Sequence, residues 1–307
     1  MKALVHDQAA PHMLRLSDAP APTPGPSQAL IDVAAFSFNF GEVAFRVPDL
    51  PTGTIPGWDA AGTVVVPAAD GSGPPAGSRV VTFGWGGAWA EQRAVDTAEL
   101  ALVPDTLDLG ATAALPVAAV TALQAIRRLG DITGRRVLVT GASGGVGRFA
   151  VQLAHLAGAE VVASVGSPAR GAGLVELGAT EVILGPAALR GRVFGAVDNV
   201  GGQQLADAYL RLETGGTVVA VGKASKQPTL IDFEEARMRV DRARIETFVI
   251  GTPLGGELAE LVGLAERGQL DLAIGWRGDW TDHLRAADAL VSRRVPGKAV
   301  LDVRRAD

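Results

Sequence analysis

The chain has 307 residues, 48% of them hydrophobic, a net charge of −5 and no cysteine. That length permits a large core and two domains. The acidic balance argues against nucleic acid or an anionic membrane as main partner, and the missing cysteine excludes disulfides, a thiolate nucleophile and Cys-ligated zinc. The opening residues, Met1-Lys2-Ala3-Leu4-Val5-His6-Asp7, lack the apolar core of a signal peptide. The apolar-leaning run Ala113 to Ile126 is too short to span a bilayer, so a soluble cytoplasmic protein is expected.

Eleven of the 18 prolines precede residue 76, which disfavours long helices there and favours short strands joined by turns. Lys2–Val5 and Leu14–Leu16 read as an opening hairpin, followed by an extended, proline-rich connection from Pro20 to Pro26. Ala29–Ala35, Gly62–Val66, Arg79–Phe83 and Trp89–Val95 are further strands of a compact, mostly β unit. From Ala111 to Leu129 the residues favour helix, broken in two at Pro116.

From Arg136 onward strand and helix alternate. Strands are expected at Val137–Thr140, Glu160–Val165, Glu181–Leu184, Ala196–Val200 and Thr217–Val221, with helices over Val146–Ala157, Ala169–Leu177 and Gln203–Leu212. Near-continuously apolar strands in such an alternation predict a doubly wound parallel sheet covered on both faces. An arginine-rich charged segment from Arg237 to Arg244 leads into a last strand, Ile245–Ile250. Helices over Gly255–Arg267 and Thr281–Ser292 and a closing strand, Lys298–Val303, complete the chain.

The chemistry concentrates where the strand Val137–Thr140 runs into Gly141-Ala142-Ser143-Gly144-Gly145-Val146-Gly147 and a helix begins. Backbone N–H groups and the helix dipole at such a turn hold phosphate. In dinucleotide-binding terms the turn reads Ala142-x-Gly144-x-x-Gly147. Gly144 lets the backbone approach a pyrophosphate, and Gly147 lets the helix pack closely on the strand. The same letters spell Gly141-x-Ser143-x-Gly145, a serine-hydrolase nucleophile elbow, with Asp198 or Asp232 and then His283 in the required order. No His-Gly-Gly oxyanion loop precedes it, Gly147 has no part in an elbow, and the β-rich first third does not resemble the leading strands of a hydrolase. The phosphate turn is favoured.

The second strand exits into Gly166-Ser167-Pro168-Ala169-Arg170, with no acid to hold a ribose 2′-hydroxyl. A guanidinium at Arg170 suits the 2′-phosphate of NADPH, worth about 1.5–3 kcal/mol as charge-assisted hydrogen bonds. The four histidines, His6, His12, His155 and His283, show no paired ligand spacing, so no metal site is expected.

Together these residues resemble the zinc-free quinone oxidoreductase branch of the medium-chain dehydrogenase/reductase (MDR) family. The landmarks are Asn39-Phe40-Gly41-Glu42, Pro56-Gly57-Trp58-Asp59-Ala60-Ala61-Gly62, Ala88-Trp89-Ala90-Glu91, Leu115-Pro116 with Thr121-Ala122, the glycine turn, Leu177-Gly178-Ala179, Asp198-x-x-Gly201-Gly202, Val221-Gly222 and Pro296-Gly297-Lys298. The resemblance implies an α/β protein: a GroES-like β domain over residues 1–117, completed by 253–307, and a Rossmann NADPH-binding domain over 118–252, with the active site in the cleft between them. Asn39 lies near the position of a zinc-ligating Cys and Trp58 at that of a His, and Glu42 replaces a usual Asp.

By the same resemblance, Thr121, Val200, Gly222, Lys223, Ala224, Val249, Ile250 and Gly251 join Ala142, Ser143, Gly144, Gly145, Val146, Gly147, Gly166, Ser167 and Arg170 as cofactor-binding residues. Asn39 is the expected catalytic group, donating through its amide to the substrate oxygen. Asp59 is expected to be a buried structural carboxylate. Trp58, Trp85 and Trp89 are expected as cleft walls, beside a mobile rim loop at Gly84, Gly86 and Gly87. The expected activity is hydride transfer from NADPH to a quinone or α,β-unsaturated carbonyl without a metal. Enoyl reduction in polyketide or lipid chemistry, low-turnover NADPH binding, and a hydrolase built on Ser143 remain as alternatives. A homodimer through the edge strand Ile245–Ile250 is expected, with neither nucleic acid nor membrane as partner.

Overall fold

A computed structural model describes residues 1–303, and the chain divides into two compact units. One comprises Met1–Val120 and the chain from Gly251; the other is Thr121–Ile250.

The first unit is β-rich. A hairpin of β1 (Lys2–His6) and β2 (Leu14–Asp18) stands apart from a seven-stranded sheet. The strands of that sheet are β3 (Gln28–Phe38), β4 (Asp59–Val66), β5 (Arg79–Phe83), β6 (Gln92–Asp96) and β7 (Leu100–Leu102), completed by β14 (Ile274–Asp279) and β15 (Lys298–Asp302) from the end of the chain. The long strand β3 pairs antiparallel with β4, β6 and β15, so the C-terminal strand is built into the N-terminal sheet. An aromatic core of Phe36, Phe38, Trp89 and Trp280 fills one face, with the Phe38 and Trp89 rings 4.5 Å apart. Helix α1 (Pro116–Arg128) begins at the proline that ends a 3₁₀ segment, Gly110–Ala114, and it contains the boundary between the units.

The second unit is a parallel sheet of six strands in the order β10-β9-β8-β11-β12-β13. Its elements in sequence are β8 (Arg136–Thr140), α2 (Gly145–Leu156), β9 (Glu160–Val165), β10 (Ala179–Leu184), β11 (Val193–Asp198), α3 (Gln203–Tyr209), β12 (Leu212–Ala220), α4 (Phe233–Arg239) and β13 (Arg244–Thr247). Val137, Leu138, Val139, Val161, Val162, Ala196, Val197, Val218 and Val219 are all fully buried. Strands buried on both faces carry no alternation, which is why they read as continuous apolar runs. The chain then returns to the first unit through α5 (Gly255–Glu266) and α6 (His283–Val291), which flank β14. Among the described residues no helix is long and apolar enough to cross a membrane.

Four elements differ from expectation. The helix expected over Ala169–Leu177 is one 3₁₀ turn, Pro168–Gly171, followed by further turns; Gly173 within it takes φ +75°, which ends helical geometry. The charged segment near Arg237 is mostly helix α4, whose N-terminus is capped by the Asp232 carboxylate accepting from Glu234 and Glu235 N–H. The strand expected over Ile245–Ile250 is shorter, Arg244–Thr247, because the Arg128 guanidinium takes the Thr247 and Val249 carbonyls instead. Strand β14 was hidden by its glycines. A Cβ at Gly275 would lie 1.9 Å from the Pro296 carbonyl oxygen, so close strand approach demands glycine at this otherwise β-unfavourable position.

Candidate functional site

Each unit contributes a polar locus, and they are built on opposite principles. In the second unit, β8 ends at Thr140 and the chain turns through Gly141, at φ +58°, before α2 starts at Gly145. Gly144 is the N-cap residue, and no side chain caps the helix. The first-turn N–H groups of Gly145, Val146 and Gly147 therefore have no intrahelical acceptor and lie at the positive end of the helix dipole. A Cβ at Gly147 would come 2.3 Å from the Gly141 carbonyl oxygen, so only glycine lets the helix sit this close to the strand end.

The sheet order reverses between β8 and β11, the topological position where open α/β sheets bind ligands. There the buried Asp198 accepts from Thr140 Oγ1 at 2.5 Å and from the Gly201 N–H at 2.8 Å. Burial raises its pKa above the ordinary carboxylate value, against the opposing pull of these donors. Asn199 receives its own orientation from Thr140: its backbone N–H donates to Oγ1 at 3.0 Å and its Nδ2 to the carbonyl at 2.8 Å. Its Oδ1 is buried and has no partner, and the same holds for Ser164 Oγ near the end of β9. Unpaired buried polar atoms cost about 1–3 kcal/mol each, and here they adjoin a strand end and an uncapped helix. An uncapped N-terminus, a glycine cradle and an orphaned acceptor at the switch point fit a dinucleotide.

Of the expected cofactor residues, Ala142, Ser143, Gly144, Gly145, Val146 and Gly147 form the turn itself. Val200 comes beside it, since a Cβ at Gly141 would meet Val200 and Asn199, and Gly222 lies against the Asn199 backbone. Gly201 in turn adjoins Lys223, whose neighbour Ala224 is half-buried. Gly166 is exposed at the β9 exit, with Ser167 and Arg170 half-buried beyond it and no carboxylate among them. Thr121 is buried on α1, away from the turn in sequence. Val249 and Ile250 follow β13, three strands along the sheet from β8, and Gly251 belongs to the first unit. Asn199 and Ser164 were not anticipated; a polar residue at a strand end beside a glycine turn was the available signal.

In the first unit, a turn of π-helix over Glu42–Arg46 follows β3 and buries Glu42. Asn39 Nδ2 donates to Glu42 Oε2 at 2.8 Å and to Asp59 Oδ2 at 2.7 Å, and its Oδ1 accepts from Lys298 Nζ at 2.5 Å. Lys298 Nζ also lies 3.2 Å from Asp59 Oδ2, and both side chains are almost fully buried. Ser37 Oγ and the Val117 N–H complete the bonds to Asp59. Glu42 Oε1 accepts from the Trp58 N–H at 2.8 Å. Burial and the nearby Asp59 charge push the Glu42 carboxyl up to about 8. Arg93, also buried, holds the neighbouring loop through the carbonyls of Trp58 and Gly86, and burial brings its pKa down to about 10.

Two expectations are corrected here. Both Nδ2 hydrogens of Asn39 are spent on carboxylates, so its amide has no N–H left to donate to a substrate oxygen. Trp89 is fully buried and its Nε1 donates to the Ser37 carbonyl, which makes it core rather than cleft wall. Trp58 and the exposed Trp85 do meet edge to face, 5.6 Å apart, and line a small cavity of about 30 Å³ with Glu42, Arg46 and Ile55.

The residues do not fit a catalytic zinc. Trp58 offers no ligand atom, Asn39 Oδ1 is held by an ammonium, and no group of three or more ligating side chains occurs among the described residues. The side chains a hydrolase triad would use are engaged within their own units: Asp198 is bonded to Thr140 and Gly201, Asp232 caps α4, and His283 Nδ1 faces the Trp280 carbonyl.

Two family models match the chain, alcohol dehydrogenase GroES-like domain over residues 25–105 and zinc-binding dehydrogenase over residues 145–267. A probable mitochondrial zinc-binding oxidoreductase of Arthroderma benhamiae is 29% identical across 94% of this chain and 92% of its own length. A quinone oxidoreductase of Pseudomonas aeruginosa is 27% identical across 95% of this chain and 96% of its own. The solved quinone oxidoreductase of Coxiella burnetii superposes with a TM-score of 0.87 at 27% identity, covering 99% of both chains.

Proposed function

The chain belongs to the medium-chain dehydrogenase/reductase family, in its quinone oxidoreductase branch, and on that premise we propose that it transfers hydride from NADPH to a quinone or α,β-unsaturated carbonyl without a metal. The observation that carries the nucleotide half is the uncapped N-terminus of α2 behind Gly147, beside the orphaned Asn199 acceptor. When bound, NADPH supplies the hydride. The N–H groups of Gly145, Val146 and Gly147 hold its pyrophosphate, and Gly144 gives the backbone room to approach. Arg170, beyond an exit strand without an acid, pairs with the 2′-phosphate. Asn199 Oδ1, fixed by its bonds to Thr140, accepts a hydrogen bond from the cofactor's nicotinamide half. Thr121, Val200, Gly222, Lys223, Ala224, Val249, Ile250 and Gly251 complete the proposed contacts.

In this reading Asn39 and Lys298 position rather than donate: Lys298 neutralises Asp59, and Asn39 holds Glu42, which accepts from the Trp58 N–H. Edge strand β13, with four exposed residues and one free side, pairs with its copy in a homodimer. The absence of cysteine suits a reducing, cytoplasmic setting.

Titration calorimetry with NADPH and NADH, followed by loss of the nicotinamide absorbance over a panel of quinones, enones and enoyl thioesters, tests the proposal. Preferential NADPH binding with turnover of a quinone or enone is expected. Turnover confined to enoyl thioesters assigns lipid or polyketide reduction instead. Tight binding without turnover favours a sensor, and labelling of Ser143 by an active-serine probe overturns the whole reading. A monomer in sedimentation at micromolar concentration removes the dimer.

A further inference from the structure

Choice between NADPH and NADH turns on one phosphate, and Arg170 is not the only cation beside the loop that leaves β9. We propose that Arg148 is a second determinant of that choice, its guanidinium joining that of Arg170 on the ribose 2′-phosphate. This deepens, and rests on, the NADPH reading above, and it involves only the unit Thr121–Ile250.

Arg148 stands where a cation is costly. It is the fourth residue of α2, whose first turn holds no acid, so its charge sits at the positive end of the helix dipole. The side chain is half-buried, and among the described residues it bonds to no carboxylate: Nη2 donates to the Ala172 carbonyl at 2.9 Å, and Nε is buried without a partner. Arg135 and Arg136, where β8 begins, are instead paired, the first with Glu213 and the second with Glu160 and Glu181. A cation set against a dipole and given no carboxylate destabilises the unliganded protein, and an added anion offsets that cost.

Its position selects which anion. Besides the Ala172 carbonyl, the guanidinium packs on Gly173, where a Cβ would lie 3.6 and 3.7 Å from Nη1 and Nη2. Both contacts are with the chain leaving β9, just beyond Arg170. That chain is turned back by the Arg170 N–H, which donates to the Ser167 carbonyl at 3.1 Å. It is also pressed on β10, since a Cβ at Gly171 would come 2.9 Å from Val182 Cγ1. No acid occurs from Gly166 through Val175. A doubly wound sheet presents the adenosine ribose to the end of its second strand, here β9, and the pyrophosphate to the helix N–H groups. A guanidinium resting on Ala172 and Gly173 therefore meets the 2′-phosphate: one N–H holds the loop, and the others of its rigid fork are left to donate.

The test is calorimetric titration of the full chain with NADPH, NADH, adenosine 2′,5′-bisphosphate and 5′-AMP, in wild type, R148Q and R148K. R148Q should weaken NADPH and the bisphosphate about tenfold, the low end for a charge-assisted hydrogen bond, and leave NADH and 5′-AMP nearly unchanged. R148K, which keeps the charge without the fork, should fall between R148Q and wild type. Equal loss for all four ligands assigns Arg148 to the pyrophosphate or to the scaffold and overturns the proposal. A wild-type preference retained in R148Q overturns it too. Thermal melting checks that the variants fold; should R148Q not fold, R148K decides, an undiminished preference in it overturning the proposal. If wild type itself binds NADH and 5′-AMP as tightly as their 2′-phosphorylated counterparts, the NADPH reading falls and takes Arg148 with it.

Discussion

The buried Asn39–Glu42–Asp59–Lys298 cluster and the half-buried glycine turn at Gly141–Gly147 are both polar, yet they solve hydrogen bonding in contrary ways. In the cluster nearly every donor meets an acceptor of the same unit: one Asn39 amide serves two carboxylates and an ammonium. At the turn, donors and acceptors are left over, in the first-turn N–H groups of α2 and in Asn199 Oδ1. A satisfied network fixes a conformation, whereas an unsatisfied one is an affinity held in reserve for a ligand. In the proposed reading, the same physics separates a scaffold for the substrate loop from a seat for the cofactor.

If the cluster is a mutually neutralised network, its worst injury is loss of the cation. Lys298→Met leaves Asp59 buried without its ion-pair partner and should cost about 3–5 kcal/mol of stability, read by urea unfolding. The folded pKa of Glu42 is raised, so the stability it contributes is fully present below its unfolded value of 4.5 and lost as pH rises through about 8. Wild-type stability should therefore decline across that window by at most about 1.4 kcal/mol per pH unit, and E42Q should flatten the decline.

At the turn, the injuries should appear in ligand affinity instead. Arg170→Ala should weaken NADPH by about 1.5–3 kcal/mol and leave NADH nearly unchanged; equal loss of both, by calorimetry, refutes the 2′-phosphate role. Gly147→Ala drives a methyl into the Gly141 carbonyl and should cost about 1–3 kcal/mol, divided between thermal stability and binding of either nucleotide. Asn199→Ala removes the orphaned acceptor, and relief of that unpaired buried oxygen offsets the lost Nδ2 bond to the Thr140 carbonyl, so it should weaken both nucleotides by about 0.5–1.5 kcal/mol without lowering the melting temperature of the unliganded protein. A loss of unliganded stability instead would move Asn199 from ligand seat to scaffold and erase the contrast at that residue.

Much of the fold was legible because local rules and tertiary demands agree. Val137–Thr140 is apolar and β-branched, its turn is rich in glycine, and α2 follows with helical spacing, so pattern and packing point the same way. Legibility failed where tertiary contact overrode local preference. Gly275 and Gly278 lower strand propensity in β14, yet Gly275 is required by the Pro296 carbonyl. The helix expected after Ser167 dissolves at glycines that the spacing of Leu174 and Leu177 masked.

The sequence by itself determined the strand–turn–helix unit, the acid-free exit toward Arg170 and the doubly wound order that follows, since each depends on residues close together in the chain. Only the tertiary structure decided the role of Asn39. Its partners Asp59 and Lys298 stand 20 and 259 positions away, and nothing local to Asn39-Phe40-Gly41-Glu42 reveals that both its N–H bonds are already taken. The same distance hid the charges around Glu42, because Asp59 and the ammonium that β15 brings in reach it only through the fold. Short-range spacing encodes a phosphate turn; the protonation of a buried carboxyl is set by what the fold places around it.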